Sequence, residues 1–318
     1  MSTTLVMLPP ASAAVQRWAA RLRETFPGLT VVVCEDADAA HAALHDADAA
    51  YGTLPPGWHA PRLRWLQAPM AAPPVGYFSP ELVAHPVTVT NMRGIYNDHI
   101  ATHVMAFVLS FARGLPRHGR NQRDHRYRPE RVPVVHLAEA RVLLVGAGGV
   151  GRQVARYLEP FGPDVVAVDA REREPSPGLR RIRPAEALDE ELPLADFVIV
   201  SVPHTPETEG LFDRGRFARM KPTAHFVNIG RGMTVRLDDL VAALRAGELA
   251  GAGLDVLEQE PLPADHPLWD LPNVVITPHV AIDGPYLDDR RYEVIAENCR
   301  RFLAGEPLFQ VVDKARWF

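Results

Sequence analysis

Three glycines between an apolar run and a helical stretch have the types and spacing needed to bind a pyrophosphate. They form a G-x-G-x-x-G pattern directly after the apolar run 141–145. The first glycine permits a tight turn, the second lets the backbone approach phosphate, and the third lets the helix pack on the strand. The helix N-terminus then offers N–H groups to the anion. The residues predicted to bind the dinucleotide here are Gly146, Gly148, Gly149, Val150 and Gly151.

An acidic residue follows at the place where a dinucleotide site needs one. Asp169 ends the next apolar run, 165–168, and lies 18 residues after Gly151. Its carboxylate could accept a hydrogen bond from a ribose 2′-hydroxyl and would repel the 2′-phosphate of NADP. Arg171 and Arg173 follow it and could compensate if they fold back. The expected cofactor is NAD, with NADP as the alternative.

Three residues that could bind and protonate a substrate follow apolar runs in the second half of the chain. They are Arg231, Glu260 and His279. The carboxyl ends of strands face the ligand crevice of an open α/β sheet, so these side chains could converge there. An arginine suits a carboxylate, a histidine can move a proton, and a neighbouring glutamate would hold its tautomer. Beside a nicotinamide, this set would support hydride transfer to a 2-keto acid. Taken singly, Glu260 could be a turn residue, Arg231 could belong to a surface loop, and His279 could be a buried histidine with a structural role.

The elements that would position these residues form two alternating series of strands and helices. Such alternation is typical of parallel sheets with right-handed crossovers. The second series has six apolar runs, at 141–145, 165–168, 197–202, 225–229, 252–257 and 274–277. The helical stretch 286–303 that follows is too short to be a domain and is expected to complete the first one. The prediction is an α/β protein with two Rossmann-like lobes: a discontinuous substrate domain, 1–97 with 284–318, and a doubly wound dinucleotide-binding domain, 98–283.

Composition restricts the class of protein. The 318 residues carry a net charge of −5, so no basic field favours nucleic acid as a partner. Apolar stretches are too short to cross a membrane. Cys34 and Cys299 form no C-x-x-C pair and fit a reducing compartment, so a cytoplasmic protein is expected.

Two histidine pairs have the i, i+4 spacing that places both imidazoles on one face of a helix. They are His41 with His45, and His99 with His103. This spacing alone does not make a metal site, and no metal site is expected. Surface or packing roles are the interpretation favoured for both pairs.

The chain resembles the D-isomer-specific 2-hydroxyacid dehydrogenase family over nearly its whole length, and its glyoxylate/hydroxypyruvate reductase-like members in particular. The glycine pattern with Asp169 carries part of this resemblance. The remaining blocks are 202–208 (VPHTPET), 228–232 (NIGRG), 253–256 (GLDV), 260–262 (EPL), 266–269 (HPLW), 272–274 (PNV) and 277–279 (TPH). The resemblance implies an NAD(P)-dependent enzyme acting on a small 2-keto or D-2-hydroxy acid, commonly as a homodimer.

The resemblance also implies roles for single residues. Arg231 would bind and polarise the substrate, His279 would exchange a proton with its oxygen, and Glu260 would support His279. Asp255 would contact the carboxamide side of the nicotinamide. The other positions implied to contact the cofactor are Pro203, Thr208 and Ile229. The positions implied to receive the substrate carboxylate are Met70, Ala71 and Ala72.

The chain departs from the family pattern at two places; the first leaves the substrate open, and the second is expected to affect packing more than chemistry. The family usually has Ala-Gly where this chain has Ala71-Ala72, and Pro73 then removes a backbone donor. Thr102 replaces a glutamate common before His103 in the family's connecting helix. A second class of function also stays open: a nucleotide-sensing binding protein, like the corepressors of the same superfamily, with little turnover.

Overall fold

The chain forms two compact units in a computed structural model that describes residues 3–73, 76–127 and 133–316. The first unit combines Met1–Ile95 with Pro285–Phe318, and the second is Tyr96–Gly284. The ends of these units fall one or two residues from the domain bounds predicted from the sequence. The assignment of these parts to substrate and to cofactor stays a prediction.

The first unit is built on a parallel sheet of five strands, in the order β2-β1-β3-β4-β5. Its elements are β1 (Thr3–Met7), α1 (Ala13–Thr25), β2 (Leu29–Val33), α2 (Ala37–Leu44), β3 (Ala49–Tyr51), β4 (Trp65–Gln67), α3 (Pro80–Ala84), β5 (Thr88–Thr90) and, from the end of the chain, α10 (Leu287–Ala304). Helix α1 begins where the Ser12 hydroxyl accepts a hydrogen bond from the Val15 N–H at 3.3 Å. Its buried residues, Val15, Trp18, Ala19 and Leu22, recur at helical spacing, so one face packs on the sheet.

A buried network of polar side chains ties α10 to this sheet. The Gln67 Oε1 atom accepts hydrogen bonds from Thr90 Oγ1 at 2.8 Å and from Asn298 Nδ2 at 3.0 Å. The Trp65 indole N–H donates to the same Thr90 hydroxyl at 2.8 Å. The side chains of Gln67, Thr90 and Asn298 are fully buried, so each of these bonds offsets a desolvation that would otherwise be unfavourable.

The second unit is built on a parallel sheet of seven strands in the described residues, in the order β12-β11-β10-β9-β6-β7-β8. Its elements are α4 (Asn97–Ala112), α5 (Leu115–Arg123), β6 (Arg141–Val145), α6 (Gly149–Leu158), β7 (Asp164–Asp169), β8 (Arg181–Pro184), α7 (Leu188–Glu191), β9 (Phe197–Val200), α8 (Arg214–Phe217), β10 (His225–Asn228), α9 (Leu237–Arg245), β11 (Gly251–Leu254) and β12 (Val274–Ile276). Helices pack against both apolar sides of the sheet. This is the doubly wound α/β fold that the sequence predicts.

The prediction of six strands was one short, because β8 has no apolar run. Its sequence is Arg-Ile-Arg-Pro, and it lies at the edge of the sheet beside β7. Ion pairs with a buried carboxylate stabilise this edge of the sheet. Arg183 Nη1 donates to the Glu191 carboxylate at 2.8 Å, and Arg141 Nη2 donates to it at 2.5 Å. Burial by itself would raise the pKa of Glu191, but these two hydrogen bonds outweigh it and lower the pKa.

The strand order reverses beside β6, and this reversal fixes where a ligand can bind. Strand β6 lies between β7 on one side and β9 on the other. Connections after β6 and β9 therefore leave in opposite directions, and a crevice opens at the carboxyl ends of these two strands. Strands β10, β11 and β12 extend the same edge in order.

In the part of the chain that the structure describes, no helix has the length and apolar character required to cross a membrane. Within the same residues, no group of three or more His, Cys, Asp or Glu side chains is arranged to hold a metal ion. Cys34 and Cys299 are both buried and unpaired.

His225, at the start of β10, is a partly buried histidine that stacks on two aromatic rings. Its ring stacks on Phe111 with the ring centroids 4.9 Å apart, and on Phe197 at 5.2 Å. Its Nδ1 atom has no hydrogen-bond partner among the described residues. Burial disfavours the charged imidazolium and lowers the pKa of His225 to about 4.

We expect the free energy of unfolding to fall by about 3 kcal/mol between pH 7 and pH 4 because of His225 alone. Its folded-state pKa of about 4 lies below the ordinary value of 6.5, so the unfolded chain binds the extra proton first. Stability is therefore complete above pH 6.5 and is lost as the pH falls toward 4. Urea unfolding of the wild type and of His225→Phe at both pH values isolates this difference. An equal pH dependence in the two proteins would contradict it.

Candidate active site

The glycine turn after β6 is closed so tightly that two of its positions admit no side chain. Gly146 has a φ of 104°, and a Cβ there would lie 3.0 Å from the Ser201 hydroxyl. A Cβ on Gly151 would lie 2.2 Å from the Gly146 carbonyl oxygen. Strand β6, the turn and α6 therefore form the strand–turn–helix unit that the motif predicts.

The N-terminus of α6 fits the pyrophosphate of a dinucleotide. Gly148 is the residue before the helix, and no side-chain oxygen in the described chain accepts a hydrogen bond from the first turn. A Cβ on Gly148 would meet no atom within 4 Å, so open space adjoins the backbone there. The N–H groups of Gly149, Val150 and Gly151 begin the helix at this space, where its positive dipole end favours an anion.

Asp169 lies at the end of β7, and its carboxylate is fixed by backbone donors. Oδ2 accepts from the Ala147 N–H at 2.7 Å, and Oδ1 accepts from Arg171 and Glu172 at 2.8 Å and 2.9 Å. Burial alone would raise the pKa of this carboxyl, but the three hydrogen bonds outweigh it and lower the pKa. The group is therefore ionised at neutral pH beside the glycine turn.

The arginines near Asp169 interact with neighbouring groups of the protein. Arg173 donates to the main-chain carbonyls of Asp169 at 2.8 Å and Glu172 at 2.7 Å. Arg152 donates to the Glu172 carboxylate at 2.8 Å. Arg171 interacts with Asp169 through its charge. Three cations thus lie around the end of β7, and two of them donate to groups of the segment that follows it.

The segment after β9 is shaped by the Thr208 side chain. The Thr208 hydroxyl donates to the Pro203 carbonyl at 2.6 Å and accepts from the Thr205 N–H at 2.8 Å. These bonds close a turn directly beyond the reversal in strand order. Ile229 follows β10 and is 7% exposed within the apolar cluster beneath it. Contact of Pro203, Thr208 and Ile229 with a cofactor stays a prediction.

Arg231 follows β10 and is held by two buried polar side chains. Asn228 Nδ2 and Thr234 Oγ1 donate to the Arg231 carbonyl at 3.2 Å and 2.6 Å. Its guanidinium Nη1 donates to the Gly230 carbonyl at 2.7 Å. Burial lowers the pKa of Arg231 from its ordinary value, while the Glu260 carboxylate acts in the opposite direction. The arginine is thus a partly buried cation within electrostatic reach of Glu260.

His279 and Glu260 form a direct pair. His279 Nδ1 lies 2.8 Å from Glu260 Oε2, and Glu260 Oε1 accepts from the Leu257 N–H at 2.8 Å. A carboxylate only accepts hydrogen bonds, so Nδ1 of His279 carries the hydrogen. This leaves Nε2 as the nitrogen that can exchange a proton with a substrate. The structure therefore brings Arg231, Glu260 and His279 together, at the carboxyl ends of three adjacent strands.

Asp255 anchors the backbone around His279. Its carboxylate is 2% exposed and accepts hydrogen bonds from the Thr277 hydroxyl at 2.7 Å, the Val280 N–H at 2.9 Å and the Ala281 N–H at 3.0 Å. Its carbonyl accepts from the His279 N–H at 2.9 Å. His279 has a φ of 57°, a left-handed conformation that is unfavourable for a residue with a Cβ. These four bonds hold that conformation. Contact of Asp255 with a nicotinamide stays a prediction.

The predicted carboxylate loop belongs to the first unit. Met70 is 40% exposed, and its carbonyl accepts from the Met92 N–H at 3.3 Å. The Ala71 carbonyl accepts from Asn91 Nδ2 at 2.7 Å. Asn91 is 1% exposed, so this loop is held from beneath by a buried amide. The role of Met70, Ala71 and Ala72 in binding substrate stays a prediction.

Comparison with known proteins assigns the chain to a family. A profile described as D-isomer specific 2-hydroxyacid dehydrogenase, NAD binding domain, matches residues 105–281. The chain belongs to the D-isomer specific 2-hydroxyacid dehydrogenase family. The matched residues include the glycine turn, Asp169, Arg231, Glu260 and His279, and all of them lie in the second unit.

Full-length structural relatives agree with this assignment. A D-isomer specific 2-hydroxyacid dehydrogenase from Xanthobacter autotrophicus Py2, solved with NADPH and MES, is 32% identical, covers 100% of both chains and superposes with a TM-score of 0.84. An NADPH-dependent glyoxylate/hydroxypyruvate reductase from Sinorhizobium meliloti, solved with NADP and sulfate, is 26% identical over 100% of both chains, with a TM-score of 0.80. The family is one of NAD(P)-dependent oxidoreductases that act on 2-hydroxy or 2-keto acids.

A curated relative shares part of its length with this chain. The human glyoxylate reductase/hydroxypyruvate reductase is 38% identical over 172 residues, which are 54% of this chain and 52% of the relative. The chain thus spans about half the length of that relative.

Four residues that shape the site were given no role in it from the sequence. Asn228 and Thr234 hold Arg231, and Thr277 links Asp255 to the segment of His279. Asn228 and Thr277 lie within blocks that resemble the family, which was the available signal. Thr234 and Asn91 lie in no such block, and their contacts become visible only in the folded chain.

Proposed function

We propose that this protein reduces a small 2-keto acid to the D-2-hydroxy acid with a reduced nicotinamide dinucleotide, as a glyoxylate/hydroxypyruvate reductase-like enzyme. The observation that carries this proposal is the His279–Glu260 pair, with nitrogen and oxygen 2.8 Å apart, in a unit whose glycine turn fits a dinucleotide. The proposal is further supported by the cation of Arg231 within reach of the same glutamate.

Each residue of the site has a distinct part in the proposed reaction. The bound reduced nicotinamide supplies the hydride. Arg231 binds the substrate carboxylate through its fork of N–H donors and polarises the carbonyl. His279 delivers a proton from Nε2 to the carbonyl oxygen, while Glu260 stabilises the imidazolium through Nδ1–H. In the oxidation direction, the neutral imidazole accepts the hydroxyl proton.

The substrate class proposed is a small 2-keto acid such as glyoxylate or hydroxypyruvate. The human relative and the Sinorhizobium relative both carry these substrates in their names. In the first unit, Ala72 and Pro73 stand where the family usually has a glycine and a backbone donor. The exact acid therefore has to be measured.

Replacing His279 with alanine is expected to lower kcat roughly 10²- to 10⁴-fold, because the proton donor is lost. The measurement is loss of reduced-cofactor absorbance with glyoxylate, hydroxypyruvate, pyruvate, oxaloacetate, phenylpyruvate and a branched 2-keto acid. The Kd for NADH should stay unchanged, since the dinucleotide turn is untouched. His136→Ala, at a histidine that is 73% exposed in the same unit, is the matched control.

Two outcomes would overturn this assignment. Near-normal kcat in His279→Ala would remove His279 as the acid. Tight NADH binding by the wild type without turnover on any of these acids would favour the alternative, a nucleotide-sensing binding protein.

We propose that NAD(H) is preferred over NADP(H). The support is the Asp169 carboxylate, ionised and fixed beside the glycine turn, where it would repel a 2′-phosphate. The cations Arg152, Arg171 and Arg173 act against this preference, and the relatives from Xanthobacter and Sinorhizobium were solved with NADPH and NADP. In this chain, Arg173 donates to backbone carbonyls and Arg152 pairs with Glu172.

Asp169→Ala is expected to lower the ratio of kcat/KM with NADH to kcat/KM with NADPH by about tenfold, or about 1.4 kcal/mol. The ratio is the informative quantity, because losing the bond to Ala147 weakens the turn for both cofactors alike. Asp164→Ala, at the opposite end of β7, is the matched control. An unchanged ratio in Asp169→Ala would show that this carboxylate does not select the cofactor.

The homodimer implied by the family resemblance is a further proposal, supported by an exposed segment. None of the described residues of α5 is buried. Leu115, in this helix, is 53% exposed, and Val134, which follows it in the chain, is 57% exposed. The partner proposed for these exposed apolar side chains is a second copy of the chain.

Sedimentation equilibrium should give twice the chain mass of 35.1 kDa. Leu115→Glu should shift the equilibrium toward single chains, because it places a charge in the proposed interface. Leu194→Glu, at a leucine 45% exposed elsewhere in the unit, should leave the assembly intact. A wild type that sediments at 35.1 kDa would contradict the dimer.

A cytoplasmic location is also proposed. Its support is that Cys34 and Cys299 are buried and unpaired, which fits a reducing compartment. Burial raises the pKa of the Cys299 thiol to about 12, so this thiol is unreactive. Fractionation of the source cells checks the location, and recovery in an extracellular fraction would contradict it.

A further inference from the structure

The segment that carries His279 is held at both ends by one helix. Thr277 lies two residues before His279, and Ile282 lies three residues after it. Both meet histidines of α4: His103 Nε2 lies 2.9 Å from Thr277 Oγ1, and His99 Nδ1 lies 3.1 Å from the Ile282 carbonyl oxygen. His99 and His103 are four residues apart, so one face of α4 presents both rings.

The direction of each hydrogen bond follows from the acceptors. The single hydroxyl hydrogen of Thr277 is donated to Asp255 Oδ1 at 2.7 Å. Thr277 Oγ1 can therefore only accept from His103, whose Nε2 must carry a hydrogen. A carbonyl oxygen also only accepts, so His99 must carry its hydrogen on Nδ1. The two histidines thus use different ring nitrogens as donors.

Packing fixes both rings in place. The His103 ring meets the Phe107 ring edge-on, with centroids 4.9 Å apart. Phe107 in turn lies against the backbone of Gly253 in β11, where a Cβ would be 2.8 Å from its ring. The His99 ring lies over Gly284, where a Cβ would be 2.4 Å from ring atoms. Helix α4 therefore has little freedom to move relative to this segment.

We propose that His99 and His103 are positioning residues that hold the segment of His279 in place for proton transfer. This inference rests on the proposed function, because His279 is the proton donor of that reaction. Neither histidine contacts His279. They act through Thr277 and Ile282, while Asp255 holds the backbone between those residues through Val280 and Ala281.

His279 needs such support because its side chain is half-exposed and its backbone conformation is unfavourable. Its side chain is 43% exposed, and the Glu260 side chain that pairs with it is 37% exposed. Its backbone has a φ of 57°, which an unsupported chain would leave for a more favourable conformation. A misplacement of a catalytic group by about 1 Å can lower the rate about 10²-fold, so support of this backbone has a direct effect on turnover.

Because His99 and His103 donate from different ring nitrogens, the same two substitutions should have opposite effects at the two positions, and we call this result the crossed pattern. The amide nitrogen of glutamine can replace Nε2 of histidine, and that of asparagine can replace Nδ1. His103→Gln and His99→Asn should therefore keep kcat within about threefold of the wild type. His103→Asn and His99→Gln should lower kcat about tenfold, with the Kd for NADH unchanged. The same two amino acids are used at both positions with opposite expectations, so helix propensity cannot explain the pattern.

Hydrogen exchange gives a readout that does not require turnover. The Val280 and Ala281 amides, which donate to Asp255, should exchange about tenfold faster in His103→Asn and His99→Gln than in His103→Gln and His99→Asn. The Val227 amide in β10 is the internal reference. Thermal unfolding of all four variants checks that the fold is retained.

The outcomes separate this inference from the proposed function. Equal kcat and equal exchange in all four variants would overturn the positioning role. The crossed pattern in both kcat and exchange would support it. A wild type that turns over none of the acids, yet shows the crossed pattern in exchange, would reject the proposed reaction while supporting the role of His99 and His103 in holding the segment.

Discussion

The buried carboxylate of Asp255 is the interaction on which the site depends. A carboxylate that is 2% exposed is strongly unfavourable unless donors replace the water it has lost. Here those donors are the Thr277 hydroxyl and the N–H groups of Val280 and Ala281. Because the charge must be satisfied, the chain beyond β12 has to return to the end of β11. The need to solvate one charge thereby determines the path of the backbone on both sides of His279.

The same principle holds at the opposite part of the sheet. Asp169 at the end of β7 accepts three backbone N–H groups, and one of them belongs to Ala147 in the glycine turn. The carboxylate therefore shapes the turn as well as giving it a negative charge. In both places an acidic residue at a strand end organises the neighbouring loop, and the sheet only has to bring the strand ends to a common edge.

The sequence predicts the parts of this arrangement that depend on local pattern. Apolar runs identify the strands that end before Arg231 and His279, and the parallel fold then places these residues on one edge, as the structure shows. Strand β8 was missed because its sequence contains no apolar run. An ion pair holds this strand instead, between Arg183 in the strand and the buried Glu191. The contacts of His99 and His103 were missed for a different reason. Their partners lie 183 and 174 residues further along the chain, so spacing alone suggested only surface or packing roles.

The discontinuous first unit has a consequence for how the chain folds as it is made. Its sheet is formed by residues before Ile95, but Asn298, which bonds to Gln67, follows 231 residues later. All of the second unit is therefore synthesised before the first unit can be completed. Until α10 emerges, the buried amide of Gln67 lacks one of its partners and part of an apolar surface stays open to water. On the ribosome, the second unit can thus fold completely while the first unit is still incomplete. During that interval the open apolar surface is vulnerable to aggregation.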